Sequence, residues 1–166
     1  KLYTGCNSLA GELGHIVIRQ GGEPCGCGRR GCLEAYSSAA ALVKFAHRAL
    51  DAGRESSLRE NGSGLNAKHI CDAVDAGDAL ACELFETYCD DLACGLSSFI
   101  NIFQPEIICI GGGVSKEGDT LLAPVQAVVD QEDYAREGMR RTKIVTAKLR
   151  NDAGIIGAAG LATQHQ

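Results

Sequence analysis

The longest periodic pattern of hydrophobic positions predicts a helix over residues 78–103. Apolar side chains recur there every three or four residues, as on one face of an α-helix; they are Leu80, Leu84, Tyr88, Leu92, Leu96, Phe99 and Phe103. Asp78 precedes the pattern and is of a residue type that caps helix N-termini, and Pro105 ends it. We expect this apolar stripe to face a sheet.

Shorter patterns on either side alternate between strands and helices. Short apolar runs predict strands at residues 15–19, 106–110 and 143–147. Helical spacing predicts further helices at about residues 34–50, 66–76, 119–130 and 153–163. Residues 1–8 resemble one arm of a hairpin, and residues 51–65 are polar enough for a surface connection. This order predicts one α/β domain over residues 1–166, with a mixed or mostly parallel sheet.

Composition and charge exclude several classes of function. The 166 residues, 45% of them hydrophobic, suffice for one domain with its own core. The net charge is −5 and basic residues are not clustered, so this chain is a poor candidate for binding nucleic acid. No apolar stretch reaches the roughly 20 residues that a membrane span needs. Nine cysteines without regular spacing are unlike a secreted disulfide framework, and a reducing cytoplasm is the expected compartment.

The candidate chemistry is concentrated in residues 12–34, which we call the cysteine loop. His15, Cys25, Cys27 and Cys32 together form the ligand set of a four-coordinate zinc site. Four protein ligands leave no open position for water, so such a metal would be structural. The spacing of the cysteines differs from the paired pattern of common zinc ribbons, however. A disulfide, a glycine-rich loop with unrelated thiols, and a hydrogen-bonded core histidine at position 15 therefore remain alternatives.

Charged residues surround these candidate ligands. Glu12 and Glu34 flank the cluster and are the groups left for chemistry. The alternative for Glu34 is that it only complements the dipole of a helix that begins there. We expect Arg29 and Arg30 to be solvated loop charges that offset the thiolates.

Gly111, Gly112 and Gly113 follow the predicted strand at 106–110. A strand, a glycine turn and a helix in succession can present backbone N–H groups to phosphate or nucleoside oxygens. A tight turn without a ligand explains the glycines equally well.

The motifs of the cysteine loop resemble those of the ROK family of bacterial sugar kinases and sugar-responsive repressors. The matching residues are Glu-x-Gly-His at 12–15 and Cys-x-Cys-Gly-x-x-Gly-Cys-x-Glu at 25–34. Residues 101–115 and 151–159 also resemble the family's glycine-turn region and last helix. The resemblance implies an actin-like, ribonuclease-H-like fold, specifically the C-terminal lobe of a sugar kinase with a structural zinc loop. Glucokinase-like members are the nearest in pattern.

The resemblance also implies roles for individual residues. Zinc would be held by His15, Cys25, Cys27 and Cys32. A hexose would contact Glu12, His15 and Glu34, with His15 binding the sugar through one ring nitrogen and zinc through the other. Gly111, Gly112 and Gly113 would line the site of ATP, which acts with Mg²⁺ as co-substrate. Family members commonly dimerise through this lobe, so a homodimer is expected.

Two family motifs are not found in residues 1–166. These are an Asp-Ile-Gly-Gly-Thr phosphate loop and a Glu-Asn-Asp-Ala-Asn stretch that carries the catalytic aspartate. We therefore expect no catalytic residue in this chain, an N-terminal lobe that is missing from it, and no kinase turnover by the chain alone.

Two further interpretations are open. One is the effector domain of a sugar-responsive repressor of the same family, whose DNA-binding part would lie elsewhere. The other is a zinc-stabilised protein-interaction module without a small ligand. The preferred hexose is not encoded in these motifs, since glucose, mannose and their N-acetylamino relatives all suit the same residues.

Overall fold

The structure, a computed structural model, describes residues 3–132, 134, 139–149 and 152–163. Its helices are α1 (Glu34–Ser37), α2 (Ala39–Asp51), α3 (Ala67–Asp75), α4 (Ala79–Phe103), α5 (Asp119–Glu132) and α6 (Ala153–Thr163). Its strands are β1 (Ile107–Ile110) and β2 (Lys143–Thr146). Short 3-10 segments occur at Leu13–His15, Ser57–Gly64 and Val114–Glu117. The predicted order of helices and strands from residue 66 onward is confirmed to within about two residues at each boundary.

Helix α4 is the centre of the core. Its N-cap is Asp78, whose carboxylate accepts a hydrogen bond from the Ala81 N–H at 3.0 Å, and it ends at Gln104 with φ of 45°. Helices α1, α2, α3 and α5 all pack against it. The predicted stripe is therefore buried mainly between helices rather than against a sheet. Phe103, at its end, is 55% exposed and does not belong to the core.

The predicted helix over residues 34–50 is in fact two helices. Ser38 has extended backbone angles, and its hydroxyl accepts a hydrogen bond from the Ala41 N–H at 3.1 Å. Ser38 is thus the N-cap of α2, and α1 is a separate turn that begins at Glu34. The apolar spacing continues across this break, which is why periodicity did not reveal it.

Strands β1 and β2 pair in parallel, with Ile107 opposite Lys143 and Ile110 opposite Thr146. Helix α5 connects them and packs on α4 and β2. These two are the only paired strands among the described residues, so the sheet there is parallel, as predicted, but small.

The prediction of a buried strand at residues 15–19 is wrong. His15 ends a 3-10 turn, and the segment after it makes a single antiparallel bridge, between Val17 and Cys32. Val17 is also 46% exposed. A ladder needs a neighbouring strand, and the neighbour here is the irregular backbone of residues 31–33.

Two other expectations about loops are also corrected. Residues 3–8 form turns rather than a hairpin arm, while residues 1 and 2 lie outside the described range. The connection over residues 51–65 contains the 3-10 segment Ser57–Gly64 and contributes the fully buried side chain of Leu58 to the core.

None of the helices in the described ranges has the length and apolar character that crossing a membrane requires. Helix α6 is nevertheless apolar in composition, and its residues 154–160 are exposed, including Ile155 and Ile156.

Candidate functional site

The cysteine loop brings together all four of the predicted metal ligands. His15 lies at the end of the 3-10 turn Leu13–His15, while the three cysteines follow in the loop. One ligand atom from each of the four residues lies within 4.8 Å of the other three. The closest approaches are 3.6 Å between Cys25 Sγ and His15 Nδ1, and 3.7 Å between Cys27 Sγ and Cys32 Sγ.

These separations fit a tetrahedral metal site. With a Zn–S bond of about 2.3 Å and a Zn–N bond of about 2.1 Å, tetrahedral geometry places two sulfurs about 3.8 Å apart and sulfur and nitrogen about 3.6 Å apart. A disulfide would instead need about 2.05 Å between sulfurs, and all nine cysteines are free thiols. The cluster could therefore hold a metal ion, and the disulfide alternative does not apply.

Backbone hydrogen bonds give the loop its shape. The N–H groups of Ile18 and Arg19 both donate to the Gly31 carbonyl, at 2.9 and 3.2 Å, and the Gly31 N–H donates to the Glu23 carbonyl at 2.8 Å. Gly31 has φ of 81°, and a Cβ there would lie 1.7 Å from the Arg19 carbonyl oxygen. Only glycine permits both this φ and this approach.

Arg29 is not only a solvated charge, because it contacts residues of the cluster. It donates to the backbone carbonyl of His15. A backbone hydrogen bond from Arg29, followed by one from its guanidinium, lowers the pKa of the Cys27 thiol to about 6. Burial raises the pKa of the Cys32 thiol to about 11. A cation bound by the cluster would favour the thiolate form at both positions.

The two candidate carboxylates both approach Nε2 of the histidine ring, and Glu34 also reaches the cluster, with its Oε1 3.9 Å from Cys25 Sγ. His15 Nε2 is 4.0 Å from Glu12 Oε2 and 4.0 Å from Glu34 Oε2, whereas Nδ1 faces the sulfurs. The side chains of Glu12 and Glu34 are 72% and 51% exposed, and that of His15 is 24% exposed. The structure thus brings Glu12, His15 and Glu34 together on an open surface.

The candidate nucleotide residues form an open turn after β1. Gly112 has φ of 91°, and a Cβ added at either Gly112 or Gly113 would meet no atom within 4 Å. The Ser115 hydroxyl donates to the Gly112 carbonyl at 2.7 Å and fixes the turn. Within the described ranges, the N–H groups of Gly112 and Gly113 donate to no protein acceptor. The turn precedes a 3-10 segment rather than a long helix, so any anion would meet backbone N–H groups more than a helix dipole.

Sequence reasoning missed the residues that attach the cysteine loop to the helices. Arg19 forms an ion pair with the buried Asp91 of α4 and stacks on the Tyr36 ring, with its guanidinium carbon 4.8 Å from the ring centroid. The Tyr36 hydroxyl accepts a hydrogen bond from the Glu23 N–H at 2.7 Å. No local signal could have joined Arg19 to a residue 72 positions away.

Glu23 makes a second attachment, to α2. Arg48 donates to both of its carboxylate oxygens, at 2.8 and 3.0 Å, and Lys44 donates at 3.1 Å. The hydrogen bonds from Arg48 and then Lys44 lower the pKa of the Glu23 carboxyl to about 2. The loop is therefore tied to α2 through Glu23 and to α4 through Arg19.

The sequence profile of the ROK family matches residues 1–165 of this chain, including the whole cysteine loop and the glycine turn. The chain belongs to the ROK family.

The relatives of this chain include both kinases and repressors. The chain is 38% identical to the glucokinase of Thermotoga maritima over 164 residues, which is 96% of this chain and 51% of that protein. It is 40% identical to the glucokinase of Halalkalibacterium halodurans, over 99% of this chain and 51% of that one. It is 30% identical to the N-acetylglucosamine repressor of Escherichia coli O6:H1, over 97% of this chain and 39% of the repressor. The chain thus spans about half the length of the glucokinases that it matches.

A solved structure supports the fold. The ROK family glucokinase of Streptomyces griseus, crystallised in complex with glucose and AMPPNP, superposes with a TM-score of 0.85 at 33% identity. The superposition covers 99% of this chain and 55% of the glucokinase. The chain therefore has the fold of ROK sugar kinases, as the resemblance in its motifs implied.

Proposed function

We propose that this chain is the C-terminal lobe of an ATP-dependent hexose kinase of the glucokinase type. The observation that carries the proposal is the pair of carboxylates, Glu12 and Glu34, that meet at one nitrogen of a histidine whose other nitrogen faces three thiols. The identity of 38–40% to two glucokinases supports the choice of a kinase.

In this proposal, the carboxylates and the histidine bind the sugar. A carboxylate accepts hydrogen bonds at two oxygens, which suits neighbouring hydroxyls of a pyranose ring. His15 Nε2 lies between Glu12 and Glu34 and would contact the same sugar. Because the surface is open, another part of the whole protein must close over the sugar and supply the base for its hydroxyl.

We further propose that the metal of the cluster is zinc, held by His15, Cys25, Cys27 and Cys32. The metal would supply structural order only, since four protein ligands fill a tetrahedral sphere. Its binding at Nδ1 would fix the tautomer of His15 with the proton on Nε2, toward the carboxylates. Free thiols are also what a reducing compartment such as the cytoplasm maintains, and we place the protein there.

ATP, together with Mg²⁺, would bind at the turn of Gly111, Gly112 and Gly113. Among the described residues, the N–H groups of Gly112 and Gly113 donate to no protein acceptor, so they are suited to phosphate or ribose oxygens. We propose that the protein assembles as a homodimer, which sedimentation analysis of the whole protein tests directly.

The proposal is tested by sugar binding and turnover in a protein with both lobes. This chain would be joined to the N-terminal half of the Thermotoga maritima glucokinase, and Glu34→Ala compared with the parent. Loss of a charge-assisted contact predicts hexose binding weaker by about 10- to 100-fold with ATP affinity unchanged. Glu132→Ala, at the end of α5, is the matched control. Unaltered hexose affinity in Glu34→Ala would remove Glu34 from the site.

The chain by itself should show no ATP consumption with glucose in a coupled assay, because positioning of both substrates is incomplete. Robust turnover by this chain alone would contradict the assignment of the base to another lobe.

A repressor effector domain is the second candidate, and the relationship to the N-acetylglucosamine repressor favours it. The two candidates share a sugar site and differ in chemistry. Hexose phosphorylation by the two-lobe protein supports the kinase, whereas sugar binding without turnover supports the repressor. A zinc-stabilised interaction module, the third candidate, predicts no hexose binding at all.

A further inference from the structure

A cavity of about 600 Å³ opens between the cysteine loop and the helices, and we call it the helical cavity. It lies between loop residues 19–23 and helices α1, α2 and α4. Small-molecule sites in proteins commonly have volumes of about 300–1,000 Å³. Neither the carboxylates at 12 and 34 nor the glycine turn lines the helical cavity, so it is separate from the sugar and nucleotide sites proposed above.

The floor of the helical cavity is apolar. It is formed by Leu42 and Ala49 of α2 and by Leu84 and Tyr88 of α4. Leu42 and Tyr88 are buried and belong to the core, so the floor is fixed by packing. A ligand there would place an apolar or ring-shaped body against these side chains.

The rim of the helical cavity is positively charged, although the chain as a whole has a net charge of −5. The lining contains four arginines, at 19, 30, 48 and 54, and two carboxylates, Glu23 and Asp91. Two flanking residues, Lys44 and Glu83, form ion pairs with the lining and add one charge of each sign. The positive excess therefore remains when the flanking partners are included.

Arg30 and the pair of cations on Glu23 account for the excess. Arg30 donates its Nε–H to the Gly21 carbonyl at 3.3 Å and has no carboxylate ion-pair partner in the described part of the chain. Arg48 and Lys44 share the single carboxylate of Glu23. The guanidinium groups of Arg30 and Arg48 therefore have N–H donors available for a further acceptor.

We propose that the helical cavity binds a phosphate monoester with a ring-shaped organic body. A phosphate carries a charge of about −1.5 to −2 and three acceptor oxygens, which matches an excess of more than one positive charge. Arginine binds phosphate through two parallel N–H groups. The apolar floor then distinguishes an organic phosphate from inorganic phosphate. A sugar phosphate and a nucleoside monophosphate share this chemistry.

The proposed ligand would contact the segment that orients the metal cluster. Glu23 is two residues before Cys25, and its N–H donates to the hydroxyl of Tyr36, which is two residues after Glu34. Arg19, four residues after His15, pairs with Asp91 across the cavity. Occupancy of the helical cavity would therefore restrict the same loop that carries the proposed sugar site.

Calorimetric titration of the chain with glucose 6-phosphate, AMP and inorganic phosphate tests the proposal. We expect one of the two organic phosphates to bind, which identifies the source, and inorganic phosphate to bind at least about tenfold more weakly. Arg30→Gln should weaken that binding by about tenfold or more, through loss of a charge-assisted contact. Arg140→Gln, at an exposed position outside the cavity, should leave it unchanged.

A second variant tests whether the ligand occupies the helical cavity itself, without altering a residue of the cysteine loop. Thr87→Leu fills space from α4 without changing charge, and it should also weaken binding while the metal content stays normal. Absence of binding by both organic phosphates would overturn the proposal. So would equal binding of inorganic phosphate, or binding that persists in both Arg30→Gln and Thr87→Leu. Hexose binding is measured separately with Glu34→Ala, so failure here leaves the kinase proposal standing.

Discussion

The cysteine loop and the helical core are held together by different forces. The core consists of apolar side chains that are almost completely buried, such as Leu80 of α4, Ile70 of α3 and Leu121 of α5. The cysteine loop has no regular element except a 3-10 turn. Backbone hydrogen bonds to Gly31 and ion pairs hold it around four side chains that could bind a metal ion. Apolar burial is non-directional, whereas ligands and ion pairs fix atoms individually. The core can therefore tolerate changes of shape, while the loop depends on a few contacts.

Metal removal should produce the largest effect, and it should be confined to the loop. Structural zinc sites in small peptides contribute on the order of 10 kcal/mol, so we expect amide hydrogen exchange in residues 12–34 to accelerate by at least ~100-fold on chelation. Exchange in α4 should stay slow because its stability comes from packing. An unchanged exchange pattern after confirmed metal loss would contradict the separation of the two regions.

Two cysteine variants provide a test and a control for the hydrogen-exchange measurement. Cys27→Ser removes a ligand and should reproduce the effect of the chelator. Cys94→Ser removes an exposed thiol from α4 and should leave both the metal content and the exchange pattern unchanged.

Leu80→Ala should have the next largest effect, this time on the core. The side chain is 1% exposed, and a leucine-to-alanine change at such a site lowers the free energy of unfolding by about 2–5 kcal/mol. Chemical denaturation measures the loss, and the metal content of the folded protein should not change. Leu9→Ala, at a position 69% exposed, is the control and should be nearly neutral. A loss below about 0.5 kcal/mol in Leu80→Ala would show that this part of α4 is not packed as described.

Gly95→Ala should affect the junction between the two regions. A Cβ at Gly95 of α4 would lie 2.4 Å from Leu33 Cδ2, and Leu33 is the buried residue immediately before α1. We expect the free energy of unfolding to fall by about 1–3 kcal/mol through overpacking. Gly157→Ala in α6 meets no atom within 4 Å and should not destabilise the helix, because alanine is the better helix former. Equal stability of the two variants would argue against the close approach of α1 and α4.

Asp78→Ala should have the smallest effect and should depend on pH. Burial raises the pKa of the Asp78 carboxyl, but hydrogen bonds from the N–H groups of Ala81 and Ser57 and from the hydroxyls of Ser57 and Ser56 outweigh it and lower the pKa to about 2. The stabilisation is therefore complete above about pH 4, the pKa of an unfolded aspartate, and is lost as the pH falls toward 2. Loss of the cap should lower the free energy of unfolding by about 1–2 kcal/mol at neutral pH.

Asp78→Asn is the matched control, since asparagine also caps helices but does not titrate. It should retain more stability than Asp78→Ala at pH 7 and lose less stability than the parent between pH 4 and 2, where Glu23 still titrates in both proteins. If the parent and Asp78→Asn lost stability in parallel between pH 4 and 2, Asp78 would not be the titrating group.

The sequence predicted well what is encoded locally. Asp78 was recognisable as an N-cap, and its side chain accepts a hydrogen bond from the N–H group of Ala81. The cluster of His15, Cys25, Cys27 and Cys32, which could hold a metal ion, was recognisable from residue type, because one imidazole and three thiols are a common ligand set for zinc. The break at Ser38 had a local signal, a serine at the start of an alanine-rich run, but helical periodicity concealed it.

Contacts between distant residues could not be predicted. The strand expected at residues 15–19 depended on a neighbour that a single segment does not specify. The Arg19–Asp91 pair joins the loop to the middle of α4, where an aspartate has no local reason to be buried. The helical cavity is likewise a product of how three helices and the loop pack together, and no segment of sequence contains it.

The two-sided environment of His15 restricts how this loop can be altered. A His15→Cys substitution would preserve four metal-ligating side chains yet remove the nitrogen that lies between Glu12 and Glu34. A substitution at position 15 that keeps the contact with the thiols therefore still changes the contact with Glu12 and Glu34. Engineering of ligand preference should begin at positions 12 and 34, which lie outside the set of four side chains that could hold the metal.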